Sequence, residues 1–142
     1  MVASDHRTYV YVGLAGEGDY IGEGGIVRRA DGEEQWTDIS KGLPANAQVR
    51  ALAIRPDDPQ VIFAGTDQGV FRSKDRGASW ETLSNPAPGS EVWSLSIHPD
   101  NHNVILAGYD PCSIARSDDG GDTWKMMDTS QGVYPFITTY MP

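Results

Sequence analysis

Short apolar runs recur along this chain, and each ends in turn chemistry. Residues 8–12 (Thr-Tyr-Val-Tyr-Val) open the series and Gly13 closes it. Residues 26–29 and 36–39 follow. Two fuller sets come next. The first comprises 49–54, 61–64 (closed by Gly65), 69–73 and 80–83; the second comprises 92–97, 104–107 (closed by Gly108), 113–117 and 124–126. Proline turns break both sets at the same place, as Arg55-Pro56-Asp57 and as His98-Pro99-Asp100. Alternation between such breaks predicts β-strands, and no window carries a 3.6-residue apolar period. Sixteen glycines and nine prolines fit a chain of many turns and little helix. Four short strands per repeat predict an all-β array of four-stranded units.

The turn before the last strand of each set is one octapeptide. Ser73-Lys74-Asp75-Arg76-Gly77-Ala78-Ser79-Trp80 returns 44 positions later as Ser117-Asp118-Asp119-Gly120-Gly121-Asp122-Thr123-Trp124. A worn copy stands 44 positions earlier, keeping Asp31 and Trp36 but carrying Arg29 for the serine and Glu33 for the glycine. An Asp two residues past a Ser accepts N–H groups of its own loop. Gly77 and Gly121 suit a positive φ, Ser79 and Thr123 close the loop from its far side, and Trp80 and Trp124 open the next strand with a large apolar surface. Repetition in every unit argues for a folding staple over one catalytic or calcium-binding carboxylate.

The spacing S-x-D-x-G-x-[ST]-W resembles the Asp-box of BNR-type β-propellers, a family that includes sialidases, sortilin-like receptors and photosystem assembly factors. The resemblance implies a propeller segment of about three four-stranded blades, with Asp-box turns between third and fourth strands. The blades span residues 8–39 (incomplete), 49–83 and 92–127. Residues 13–25, with six glycines, are longer than the matching loops and read as an insertion on one rim. Residues 136–140 line up with 93–97 and 50–54, so they are expected to be a first strand with no blade behind it. Closed propellers need about four to eight blades. Either this is part of a longer propeller, or copies associate head to tail, two of them closing a ring.

Charge and composition narrow the partners. A formal charge of −9 excludes a basic nucleic-acid footprint and disfavours an anionic membrane surface. No apolar run reaches the ~18 residues of a membrane span. The polar N-terminus has no signal-peptide core, so a cytoplasmic setting is expected if the chain is complete. A single cysteine, Cys112, excludes an internal disulfide and a cysteine-based zinc site. No cofactor and no metal is expected.

Few residues carry candidate chemistry. Asp67 and Asp110 follow Ala-Gly-Thr66 and Ala-Gly-Tyr109 at equivalent corners. They are the weak candidates for two carboxylates facing a central channel, though each also suits capping its own turn. His98 and His102 suggest a metal pair, but the sister turn Arg55-Pro-Asp-Asp-Pro59 has none, which favours a plain turn. Cys112 sits in a one-residue insertion with nothing near it to activate a thiol. Arg72 and Arg116 recur before each octapeptide and are expected to pair with nearby acids. By resemblance, sialidases carry an Arg-Ile-Pro motif, whereas Ile54-Arg55-Pro56 has the wrong order. The expected function is a non-catalytic binding or scaffolding module for a protein or carbohydrate ligand. The alternative is part of a glycoside hydrolase of the sialidase-like type.

Overall fold

The computed structural model describes residues 7–16, 24–110 and 113–127. The expected strand at 136–140, Cys112 and residues 17–23 of the glycine-rich insertion lie outside the described residues. Eleven strands are described: β1 (Tyr9–Leu14), β2 (Gly25–Ala30), β3 (Thr37–Asp38), β4 (Val49–Ile54), β5 (Ile62–Thr66), β6 (Gly69–Ser73), β7 (Glu81–Thr82), β8 (Val92–Ile97), β9 (Ile105–Tyr109), β10 (Ser113–Ser117) and β11 (Lys125–Met126). They form three antiparallel sheets in the orders β1-β2-β3, β4-β5-β6-β7 and β8-β9-β10-β11. The architecture is all-β, and it is that of a β-propeller segment. Among the described residues no helix is long and apolar enough to cross a membrane.

The core lies between sheets. Ile26 and Ile39 of the first blade pack with Val49, Ile62, Ala64, Phe71 and Trp80 of the second. The opposite face of the second blade places Phe63, Val70 and Leu83 against Val92, Ile105, Ala107, Tyr109, Ala115 and Trp124 of the third. Successive side chains of a strand point to opposite faces, so a sheet covered on both sides reads as an unbroken apolar run. That is why β5 and β6 are buried at every position. In β9, residues 105, 107 and 109 are buried and those between them are half-buried, the pattern of a sheet covered on one side.

Two expectations shift once neighbouring strands are seen. Gly65 and Gly108, read as strand ends, lie inside β5 and β9. Both sit opposite first strands that press on them: a Cβ at Gly65 would lie 2.6 Å from Val92 Cγ1, and one at Gly108 would lie 2.4 Å from Ser94 Oγ. Trp80 and Trp124 were expected to open the fourth strands, which instead begin one residue later. For Trp80 the reason is visible: its backbone N–H is given to Lys41 O of the preceding linker at 2.9 Å.

Candidate functional site

The octapeptide turns are closed hydrogen-bond circuits. Ser73 Oγ donates to Asp75 Oδ1 at 2.7 Å and accepts the Gly77 N–H at 2.7 Å. Asp75 then takes the Ser79 N–H at 2.9 Å and its hydroxyl at 2.6 Å. Ser117, Asp119, Gly121 and Thr123 repeat the circuit, with Gly121 N–H to Ser117 Oγ at 2.8 Å and Thr123 N–H and Oγ1–H to Asp119 at 2.9 and 2.5 Å. Gly77 and Gly121 take the left-handed φ of +91° and +102°. The worn copy is wired otherwise: the Glu33 carboxylate accepts the Ala30 N–H at 2.8 Å, and exposed Trp36 lies under the Arg29 guanidinium.

These bonds favour the charged carboxylates. The Ser79 hydroxyl, then Ser73 and the Ser79 N–H, hold Asp75 below its ordinary value. The Thr123 hydroxyl and N–H lower Asp119 to about 2. A carboxyl whose folded value is depressed contributes stability that is complete above its unfolded value, about 4, and is lost as pH falls through the folded one. The melting temperature should therefore drop between about pH 4 and pH 2. Asp75→Asn/Asp119→Asn should flatten that acid limb; an unchanged limb in the double variant would clear both residues of any part in it.

Asp67 and Asp110 directly follow the second strands of their blades, each beside the residue that precedes the first strand. Asp67 and Gln48 exchange two bonds, Asp67 N–H to Gln48 O at 3.1 Å and Gln48 N–H to Asp67 Oδ1 at 2.9 Å. Asp110 gives its N–H to Glu91 O at 2.9 Å, and its side chain is exposed. His98 Nδ1 accepts the N–H groups of Asp100 and Asn101 at 3.0 and 3.1 Å, while His102 Nδ1 lies 3.2 Å from Asp57 Oδ1. Among the described residues no three His, Cys, Asp or Glu side chains gather as metal ligands. Arg72 bridges Glu81 and, at 2.8 Å, Asp122; Arg116 pairs with Asp118 at 2.9 Å.

A site absent from these expectations lies on the first strands. Pairing of β4 with β5 slips between Val49 and Ala51, and pairing of β8 with β9 slips between Val92 and Ser94. Arg50 and Trp93 are the extra residues of two bulges at the same place in successive blades. A bulge re-aims its side chain, and here it turns the two toward each other. The Arg50 guanidinium lies over the Trp93 ring, 4.5 Å from its centroid, and reaches Glu91 Oε1 at 3.4 Å. Trp93 is nonetheless 48% exposed, and Arg50 Nε is buried without a hydrogen-bond partner. A cleft of about 130 Å³ lined by Gly13, Val49, Arg50, Ala51 and Leu52 adjoins the arginine. The arrangement offers one indole face, a cation and a carboxylate: it can stack and hydrogen-bond a ligand.

Known proteins share this architecture. The xyloglucanase Xgh74A of Acetivibrio thermocellus is 27% identical over 97 residues, 62% of this chain and 12% of the enzyme. This chain therefore spans a small part of that relative's length. An ancestral GH74 enzyme superposes with a TM-score of 0.64 at 20% identity, over 81% of this chain and 18% of that one. YCF48 bound to D1 peptide superposes with a TM-score of 0.56 at 15% identity, over 87% of this chain and 46% of that one. Such identities establish a common fold. A family model described as Sortilin-Vps10 (sortilin, neurotensin receptor 3) matches residues 24–140. That match takes in every described strand after β1 and both complete octapeptides, and on it the chain belongs to the Sortilin-Vps10 family.

Proposed function

We propose that this chain is a non-catalytic binding or scaffolding module whose ligand meets the bulged first strands at Arg50, Glu91 and Trp93. The observation that carries the reading is Trp93, a large aromatic left half in solvent yet fixed in place by a guanidinium on one face. An ordered, exposed indole beside paired charges suits a ligand with a flat apolar face and a polar rim, such as a peptide side chain or a sugar ring. Of the two carboxylates weighed for the channel, that of Asp67 accepts the Gln48 N–H. A second reading, a segment of a glycoside hydrolase, is favoured by the similarity to a xyloglucanase.

Intrinsic fluorescence tests the site, and a reducing-end assay separates the two readings. Xyloglucan oligosaccharides and the D1 peptide are the probes, and one of them should perturb the emission of the wild type. Trp93→Ala should weaken that binding by about thirtyfold, the ~2 kcal/mol of an interface hot spot. Arg50→Gln should weaken it less. No response to either probe, or a response that survives Trp93→Ala, would remove the site. Release of reducing ends from xyloglucan by the purified chain would replace this reading with the hydrolase.

A further inference from the structure

The joints between blades are built the same way twice, and the parts for a third joint are exposed. At the first joint Arg28 Nη1 donates to Arg76 O at 2.9 Å; at the second Arg72 Nη1 donates to Gly120 O at 3.0 Å and pairs with Asp122. Each joint also seats an apolar side chain on the octapeptide glycine of the next blade. A Cβ on Gly77 would lie 2.4 Å from Ile39 Cδ1, and one on Gly121 would lie 2.8 Å from Phe63 Cε1 and 3.3 Å from Leu83 Cδ1. Strand register assigns the equivalent positions on the third blade: Leu106, Ile114, Arg116 and Met127 stand where the second blade has Phe63, Val70, Arg72 and Leu83. Leu83 is 7% exposed and Met127 is 42% exposed; the Arg72 side chain is 9% exposed and that of Arg116 is 45% exposed.

The first blade carries the opposite half. Val10, Val12 and Trp36 correspond to Ile62, Ala64 and Trp80; the first three are exposed and the last three are buried. Counting along the octapeptides, Gly32 holds the place of Gly120, and Glu34 that of Asp122. Both are exposed, and a Cβ on Gly32 would meet nothing within 4 Å. Glu33, which replaces the glycine, has its carboxylate drawn back to the Ala30 N–H.

We infer that the open face of the third blade docks on the open face of the first blade of a second copy of this chain, with Arg116 of one copy facing Glu34 and the Gly32 carbonyl of the next. Apolar surface meets apolar surface, and a cation meets an acid at the octapeptide place where its counterpart Arg72 finds Asp122 inside the chain. The contact is heterologous, so it propagates head to tail until a ring closes. It stands apart from the ligand site on the first strands.

Charge reversal tests it by sedimentation of the full chain at micromolar concentration, with circular dichroism to verify folding. The wild type should sediment as more than one copy. Arg116→Glu and Glu34→Arg, both at exposed positions, should each weaken self-association by at least about tenfold, since each places like charges across the joint. Mixing the two variants should restore the wild-type mass, because every joint in an alternating assembly again pairs opposite charges. A monomeric wild type overturns the proposal. Single variants that associate like the wild type, or a mixture that fails to reassociate, overturn it as well.

Discussion

Trp80→Ala should lower folding stability by about 3–5 kcal/mol, against under about 1 kcal/mol for Trp36→Ala, when both are measured by urea unfolding at a dilution that keeps copies apart. The two residues share a place in the repeat and differ in what lies behind them. Trp80 is 6% exposed in the joint between the first and second blades, among Ile26, Ile39, Val49, Ile62 and Phe71. Its Nε1–H donates to Ile39 O at 2.7 Å. Truncation thus removes the filling of the joint and strands a carbonyl, and both add to the loss. Trp36 is 45% exposed, with the Arg29 guanidinium over its ring 5.2 Å from the centroid. Trp124 differs in its hydrogen bond: it is buried in the joint between the second and third blades, but its Nε1–H goes to Gly121 O of its own turn at 2.8 Å, so its truncation should empty that joint without stranding a carbonyl of the preceding blade. Equal losses at Trp80 and Trp36 would mean that the repeated tryptophan contributes little to holding blades together.

What the sequence makes legible is what local chemistry decides. Strand number follows from short apolar runs and their turn residues, and the propeller class follows from the spacing of the octapeptide. Features decided by a neighbouring blade were not legible. Gly65 reads as a strand end because glycine so often ends strands, yet its reason for being there is Val92, which leaves no room for a Cβ. Val49-Arg-Ala-Leu-Ala-Ile54 reads as plain alternation, and nothing within it shows that pairing slips at Arg50. A bulge is a property of two strands, and register with β5 is what reveals it. The one available signal was comparison of repeats: Arg50 and Trp93 hold the same position, each directly after a valine that is buried. A long polar side chain and an aromatic at one repeated place, both following a core residue, mark a position that faces away from the core.

Electrostatic wiring shows the same division. Asp75 and Asp119 find their partners within four residues, so the octapeptide contains its own explanation. Arg28 and Arg72 find theirs 48 positions away, on the next blade. From the sequence, a repeated arginine beside acids suggests local pairing, and Arg116 with Asp118 fits that description. The guanidinium of Arg72 adds the part that only the fold supplies, a reach across the joint to a backbone carbonyl.

The joint between the first and second blades contains a glycine at which a single methyl group should do severe damage. Gly42→Ala is expected to destabilise the chain by about 2–5 kcal/mol, combining a strained backbone (~1–3 kcal/mol) with overpacking of similar size. Gly42 holds a φ of +99°, and a Cβ there would lie 2.2 Å from Trp80 O and 3.0 Å from Trp80 N. Both atoms are main chain, so no rotamer change can clear the way. The linker would have to withdraw, and withdrawal breaks the adjoining bond from Trp80 N–H to Lys41 O. Gly89 provides the comparison: its φ is +86°, yet a Cβ there would meet nothing within 4 Å. Gly89→Ala should therefore show only the conformational part, about 1 kcal/mol, at the low end of the range for a left-handed residue. Urea unfolding of the two variants beside the wild type measures the difference, which is the cost of forcing the linker away from Trp80. If Gly42→Ala is no worse than Gly89→Ala, the close approach of the linker to Trp80 is not what fixes the second blade on the first.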